Sequence, residues 1–305
     1  MQLGFVTAIL PDQSLEEVFK IAADIGYDCV EVMCWPPGDG DRRYSGITHI
    51  DITSLTANKI QEIKQLSTTY GVEISALGYY PNPLTSDREK QNHYVNHIKA
   101  MIRAAARLDI DVVNTFVGKD HTLSIEDNWP NFLKVWSNIL GQADGLDIKV
   151  GIENCPMSFT QDEWPGGKNL FTTPAIWRRA WKQLPTPNFG LNYDPSHMII
   201  QHMDVTYPIK TFAERLHHIH AKDAQIDKDQ LDEYGVLSYP NLWHTPKIPG
   251  NGDVDWKAFF DSLKEVGYQG AVCVEVEERK YEGSLKKRLE ALKVSHDYLR
   301  QFVST

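Results

Sequence analysis

The chain has 305 residues, 42% of them apolar, and a formal net charge of −10. That apolar share is enough for a full core in one large unit, and α/β barrels commonly run past about 250 residues as a single domain. The acidic balance argues against a nucleic-acid partner, because phosphate binding needs a basic footprint.

Strand-like and helix-like stretches alternate from end to end. Apolar, β-prone runs occupy 3–8, 29–34, 73–79, 112–117, 149–155, 189–193, 218–221 and 271–276. Between them the periodicity is helical, with Leu15, Val18, Phe19, Ala22 and Ala23 on one face of the first helix and Leu285, Leu289, Leu292 and Val294 marking the last. Ser14–Glu17 and Ser124–Asp127 resemble capping boxes, and Gly26, Gly71 and Gly267 stand where helices should stop. Alternating βα units imply a parallel sheet, and eight of them imply a closed (β/α)8 TIM barrel. No linker divides the chain, so 1–305 is expected to form one barrel. Three loops, 35–53, 156–173 and 224–253, are long and fall on the same face, where long loops usually cover a site. Cys29, Cys34, Cys155 and Cys273 form no CxxC pair, and no apolar run is long enough for a leader or a membrane span. Reduced thiols in a cytoplasmic protein follow as the expectation.

Four segments end in a residue able to bind a metal: Gly151-Ile152-Glu153-Asn154, Asn192-Tyr193-Asp194-Pro195-Ser196-His197, His218-Ile219-His220-Ala221-Lys222-Asp223 and Val272-Cys273-Val274-Glu275. Barrel enzymes carry their chemistry at such strand ends. Taken singly, each has a plain alternative. Glu153 suits a strand-end salt bridge as well as a cation. Asp194 suits a helix cap, and His197 is either a ligand or a donor to substrate. His218 and His220 share a face, with His220 nearer the mouth. Glu275 points inward while Glu277 lies near the rim. Taken together, three carboxylates and an imidazole at strand ends form a coherent shell for one divalent cation, favouring Mn²⁺, Mg²⁺ or Co²⁺ and admitting Zn²⁺. Trp35, Tyr79, Phe116, Trp164 and Trp243 are aromatic groups on the loop side, where a sugar face could stack.

These motifs resemble the xylose-isomerase-like TIM-barrel superfamily, in particular its sugar phosphate isomerase/epimerase group. GIENCPM, the loop 163–169 (EWPGGKN), NYDPSH, HIHAKD and PGNGDVDW carry the likeness, which covers essentially the whole chain. The resemblance implies that Glu153, Asp194, His220 and Glu275 hold the metal, that His197 contacts substrate and that Asp223 matches the acidic residue after the HxH strand. The chemistry of the residues adds Glu153 and Glu275 as the expected proton carriers, Lys222 and Asp223 with His197 as groups to orient hydroxyls, and Trp164 and Trp243 as rings for the sugar. Two departures stand out. Lys222-Asp223-Ala224-Gln225 replaces the epimerases' GExxR motif, and the loop 224–253 is longer than in a compact epimerase.

The expected activity is isomerisation or epimerisation of a small-molecule sugar through proton abstraction next to a carbonyl and an enediolate stabilised by the metal. The rival on the same scaffold is a lyase or dehydratase that expels a β-substituent from a keto-sugar, inosose or 3-keto-glycoside. A DNA-repair nuclease conflicts with the charge, and a non-catalytic sugar binder conflicts with a complete ligand set. The loop 224–253 is expected to wall the pocket or to complete it from a neighbouring subunit in a homo-oligomer.

Overall fold

The computed structural model describes residues 1–38, 40, 43–158 and 167–303. Ten strands are present among them: β1 (Gln2–Val6), β2 (Cys29–Met33), β3 (Glu73–Gly78), β4 (Val112–Thr115), β5 (Lys149–Glu153), β6 (Phe189–Tyr193), β7 (Leu216–Ala221), β8 (Asp223–Ile226), β9 (His244–Lys247) and β10 (Ala271–Val274). Eight close into a parallel barrel in the order β1, β10, β7, β6, β5, β4, β3, β2, with β1 pairing on both sides, to β10 and to β2. The chain is therefore the (β/α)8 barrel expected from its alternation. All eight apolar runs became barrel strands.

Local chemistry explains the outer helices. Ser14 and Glu17 form a reciprocal capping box on the helix Leu15–Ile25, which stops at left-handed Gly26 (φ 102°). The helix buries Val18, Phe19 and Ala22 against the barrel. After β6 the expected helix is reduced to two short pieces, Ser196–Ile199 and Tyr207–Thr211.

Inside the barrel the packing is polar toward the C-terminal end. Glu31, Asn114, Asn192, His218 and His220 are all at most 1% exposed. Alternation puts Asn192 and Asp194, and likewise His218 and His220, on the inward face. Gly78 and Gly151 make room for this layer, since a Cβ on Gly78 would meet Glu31 Oε1 and one on Gly151 would meet Asn114 Oδ1. The loop 224–253 is an ordered insertion. β8 and β9 pair antiparallel within it, and a helix, Lys228–Tyr234, fills the excursion. No helix among the described residues is long and apolar enough to cross a membrane.

Gly151→Ala should push Asn114 off Glu31 and lower stability by about 1–3 kcal/mol, as overpacking does in tight cores. Urea denaturation checks this, and an unchanged midpoint would mean that the barrel interior has slack there.

Candidate metal centre

β5, β6, β7 and β10 deliver Glu153, Asp194, His220 and Glu275 to one point at the C-terminal mouth, with one ligand atom from each lying within 4.8 Å of all the others. β5 pairs with β6 so that Glu153 lies opposite Asn192, which sets Asp194 one step further into the mouth. Asp194 is fixed by its own turn, because its Oδ1 accepts from Ser196 N at 2.8 Å and its backbone N–H donates to Asn154 Oδ1 at 2.8 Å.

His220 gives the strongest indication that the residues suit a cation. Its Nε2 faces Glu31 Oε2 at 2.8 Å, so the proton belongs on that nitrogen. Its Nδ1 is fully buried, makes no hydrogen bond, and lies 3.5 Å from Glu275 Oε2 and 3.9 Å from Glu153 Oε2. A bare imidazole nitrogen aimed between carboxylates is the donor arrangement a divalent ion takes. Three carboxylates and one nitrogen fit a hard or borderline cation.

Glu31 was absent from the residues singled out in the sequence. Its carboxylate accepts from Tyr80 OH, from Asn114 Nδ2 at 2.9 Å and from His220. Burial opposes its charge, but His220 and His218 beside it hold its pKa below the usual carboxylate value. Asn192 Oδ1 and His218 Nδ1 (3.0 Å) continue the network beneath, and His218 Nε2 meets Ser75 Oγ at 3.1 Å. A carboxylate on the far nitrogen of a metal-binding histidine fixes its ring and tautomer. The signal was available, since Glu31 is the lone charge in Cys29-Val30-Glu31-Val32-Met33.

The flanking residues sort into two groups. His197 Nε2 lies 3.1 Å from Glu153 Oε1 and 3.3 Å from Asp194 Oδ2. Lys222, 3% exposed, sets its ammonium 2.6 Å from Glu275 Oε2, 2.9 Å from Asp194 Oδ2, 3.3 Å from Glu277 Oε2 and 3.7 Å from Glu153 Oε1. Its partners are thus all three carboxylates of the candidate set, together with Glu277. Burial and neighbouring Glu275 raise the Glu153 pKa, against Lys222 and His197. Burial would raise Glu275 too, but Lys222 and His220 hold it well below the ordinary range.

Asp223 and Trp243 differ from expectation. The Asp223 carboxylate accepts from Ala224 N (2.9 Å), Val254 N (3.0 Å), Gly250 N (3.1 Å) and Trp256 Nε1 (2.9 Å), so it staples the two ends of the insertion and has little left for a substrate. Trp243 is 1% exposed and stacks on His202, with ring centres 5.8 Å apart, which seats the insertion on the segment after β6. Trp164 lies outside the described residues. Among the other aromatic candidates, Trp35 and Phe116 line a cavity of about 80 Å³ over Glu153, Lys222 and Glu275. Tyr79 is 0% exposed and packs edge-on to Trp35 and His97. On the insertion side, Pro240, Asn241, His244 and Pro246 face His197 and Lys222 across a cavity of about 140 Å³.

The family model for the xylose isomerase-like TIM barrel matches residues 19–302. The chain belongs to that family. Within this family of xylose isomerase-like barrels it is similar to the uncharacterized protein YfiH of Bacillus subtilis (strain 168), at 23% identity over 96% of this chain and 98% of YfiH. A shorter stretch, 37% of each chain, is 28% identical to an inosose dehydratase of Lactiplantibacillus plantarum. Among solved structures, a D-psicose 3-epimerase in the presence of D-fructose superposes with a TM-score of 0.71 at 16% identity, covering 100% of both chains. The IolI protein with a bound zinc atom gives a TM-score of 0.70 at 17% identity, again over 100% of both. At these identities the structures speak for the shared fold.

Glu31→Gln keeps the shape but removes the anionic acceptor on His220. Metal affinity should fall about 10–100-fold, as for other partners of metal-binding histidines. Competition with a chelator measures it, and an unchanged dissociation constant would remove Glu31 from the site.

Proposed function

We propose that this chain is a divalent-metal-dependent sugar isomerase or epimerase that removes a proton from the carbon beside a carbonyl and returns it to the same or a neighbouring carbon. The convergence of Glu153, Asp194, His220 and Glu275 around the bare Nδ1 of His220 carries the reading. A bound cation, for which Mn²⁺ suits the donor set and Mg²⁺, Co²⁺ or Zn²⁺ are alternatives, supplies positive charge against the substrate oxygen as it becomes anionic.

The side chains then divide the proton work. Glu275, kept ionised by Lys222 on Oε2, offers Oε1 as the base. Glu153, whose pKa burial and Glu275 raise against Lys222 and His197, is the acid, and His197 Nε2 at its Oε1 fixes the carboxyl in place. Carboxylates whose surroundings push their pKa values apart are suited to acid and base roles. His197 also lines the insertion cavity and is placed to bond a substrate hydroxyl, with Lys222 screening the carboxylates around it. The small molecule enters between β5, β7 and β10 and the insertion. All four cysteines are free, which suits a cytoplasmic setting.

A lyase on the same centre is the second reading, favoured by the similarity to inosose dehydratase. Both begin with the same proton. Incubating the metal-loaded enzyme with ketoses, inososes and 3-keto-glycosides in deuterated buffer separates them by NMR. Deuterium in an intact sugar supports isomerisation or epimerisation, and an enone or a released group supports elimination. Neither product across the whole panel would sink both.

Two variant sets test the assignments. Asp194→Asn and His220→Ala should lose metal and activity together, measured by elemental analysis and turnover, and full occupancy in both would exclude them as ligands. Glu153→Gln and Glu275→Gln should stay folded while the rate falls about 10²–10⁴-fold, the usual loss on removing a general acid or base. Wild-type exchange of deuterium at the substrate carbon in both would assign the proton transfer elsewhere.

A further inference from the structure

A second group of metal-type ligands stands where β5 runs out into its loop. One ligand atom from each of Glu153, Cys155 and His197 lies within 4.8 Å of the other two. Glu153 ends β5 and Cys155 follows two positions later, and both line the small cavity over Glu275. The Glu153 carboxylate faces both groups. Its Oε2 lies 3.9 Å from His220 Nδ1, and its Oε1 lies 3.1 Å from His197 Nε2.

His197 and Cys155 each keep capacity for a ligand. His197 is 8% exposed, and its Nδ1 is buried without a hydrogen bond. The Cys155 thiol lies close enough to bias the charge on that ring. It is the half-buried one of the four free cysteines and lines both the cavity over Glu275 and the insertion cavity, so an ion has a route to it. Its sulfur accepts from Met157 N at 3.4 Å. Met157 presents that donor from a left-handed backbone (φ 55°), which is uncommon for a residue other than glycine. A backbone N–H on sulfur favours the thiolate, the form that binds metals.

Two asparagines hold the three residues in register. Asn169 Nδ2 donates to Glu153 O (3.0 Å) and Cys155 O (2.7 Å), which clamps the strand end. Asn154 Nδ2 donates to Asp194 O (2.9 Å) and Asn154 Oδ1 accepts from Asp194 N (2.8 Å), which ties β5 to the segment carrying His197. A set fixed in this way pays little ordering entropy when it closes on an ion. Charge points the same way. Glu31, Glu153, Asp194 and Glu275 together outweigh Lys222 and one divalent ion. Lys222 stands 3.7 Å from Glu153 Oε1 but 2.6 Å from Glu275 Oε2 and 2.9 Å from Asp194 Oδ2, so its charge is directed mainly to those two.

We propose that Glu153, Cys155 and His197 form a second cation site, softer than the first, which takes Zn²⁺ with Glu153 bridging the two ions. A thiolate, an imidazole and a carboxylate, with one position left for water, match the donors zinc prefers, whereas Mn²⁺ and Mg²⁺ favour oxygen. Cys155 releases its proton to solvent on binding. The bridge rests on the metal-centre reading; the Cys155–His197 part stands without it. An ion on Glu153 Oε1 also replaces the proton that Glu153 would carry as the acid, so the filled second site and that role exclude each other.

The full chain, loaded in turn with Zn²⁺, Co²⁺ or Mn²⁺, tests this by elemental analysis and absorption. Wild type should hold two Zn²⁺ but one Mn²⁺, and Co²⁺ should give a near-ultraviolet thiolate charge-transfer band. Cys155→Ser should lose the second Zn²⁺ and the band while keeping the first ion. A third arm needs no variant and reads alkylation of Cys155 by peptide mass spectrometry. Zn²⁺ at about ten times its dissociation constant should slow that reaction about 10-fold, because only the unbound fraction reacts, and Mn²⁺ should leave it unchanged. A single Zn²⁺ in wild type with no band, a band that survives in Cys155→Ser, or alkylation indifferent to Zn²⁺ overturns the proposal. A Cys155-dependent ion without a Cys155-independent one supports this site and counts against the metal centre alone.

Discussion

Glu31, Glu153 and Asp194 are buried together at the mouth of the barrel, each no more than 3% exposed, with Glu275 beside them. Removing an ionised carboxylate from water costs several kcal/mol unless positive charge or donors replace the solvent. Much of the local architecture answers that cost. Lys222 reaches all three carboxylates of the candidate metal set, His220 is held between Glu31 and the open side of the site, and Asn114, Asn192 and Tyr80 fill the layer beneath with polar contacts. The small residues Gly78 and Gly151 are consequences of the same constraint, since a methyl at either would displace the network. Four carboxylates against one ammonium leave a deficit of positive charge. A divalent cation fills such a deficit without adding volume.

The barrel was legible because its information is local. Period-two and helical stretches alternate, and each strand's pairing follows from chain order once closure is assumed. The convergence of Glu153, Asp194, His220 and Glu275 was legible for a related reason, because polar residues at the ends of apolar runs stand out. Glu31 belongs to the same class of signal but sits in the middle of its strand, where an inward carboxylate makes sense only after His220 is known to lie across the barrel. That contact joins residues 189 positions apart, and no local pattern encodes it. Asp223 shows the reverse case. It follows the candidate ligand His220 and has the right chemistry, yet four donors from 224, 250, 254 and 256 take up its carboxylate because the long insertion needs a staple where it leaves and rejoins the barrel. Trp243 was drawn inward likewise, since its ring packs the excursion onto His202 in the segment after β6.

The mouth has two unlike sides. Across His197 and Lys222 stands the insertion, contributing prolines, Asn241 and His244; across Tyr80 and Trp35 stand Lys90, Lys119 and Lys168. The four candidate ligand positions come from strand ends, whereas both walls come from loops, whose sequence can vary without disturbing a barrel. A low identity to epimerases and dehydratases over the same fold is what that division of labour produces.

It also bears on which of the two proposed reactions such a centre would favour. Isomerisation and elimination start with the same loss of a proton beside a carbonyl, and the same cation would stabilise the same anionic oxygen. They part afterwards, according to where the next proton goes. If it returns to carbon, the acid must stand over the plane of the reacting atoms, the role proposed for Glu153. If it goes to a departing β-substituent, the acid must face the space that holds that substituent. His197 is within 3.1 Å of Glu153 Oε1 and also opens onto the insertion cavity, so one proton held between the two has both exits available. The choice therefore falls to what the substrate places in that cavity. A hydrogen-bonded hydroxyl held away from the plane favours return to carbon, and a good leaving group aligned beside His197 favours its loss.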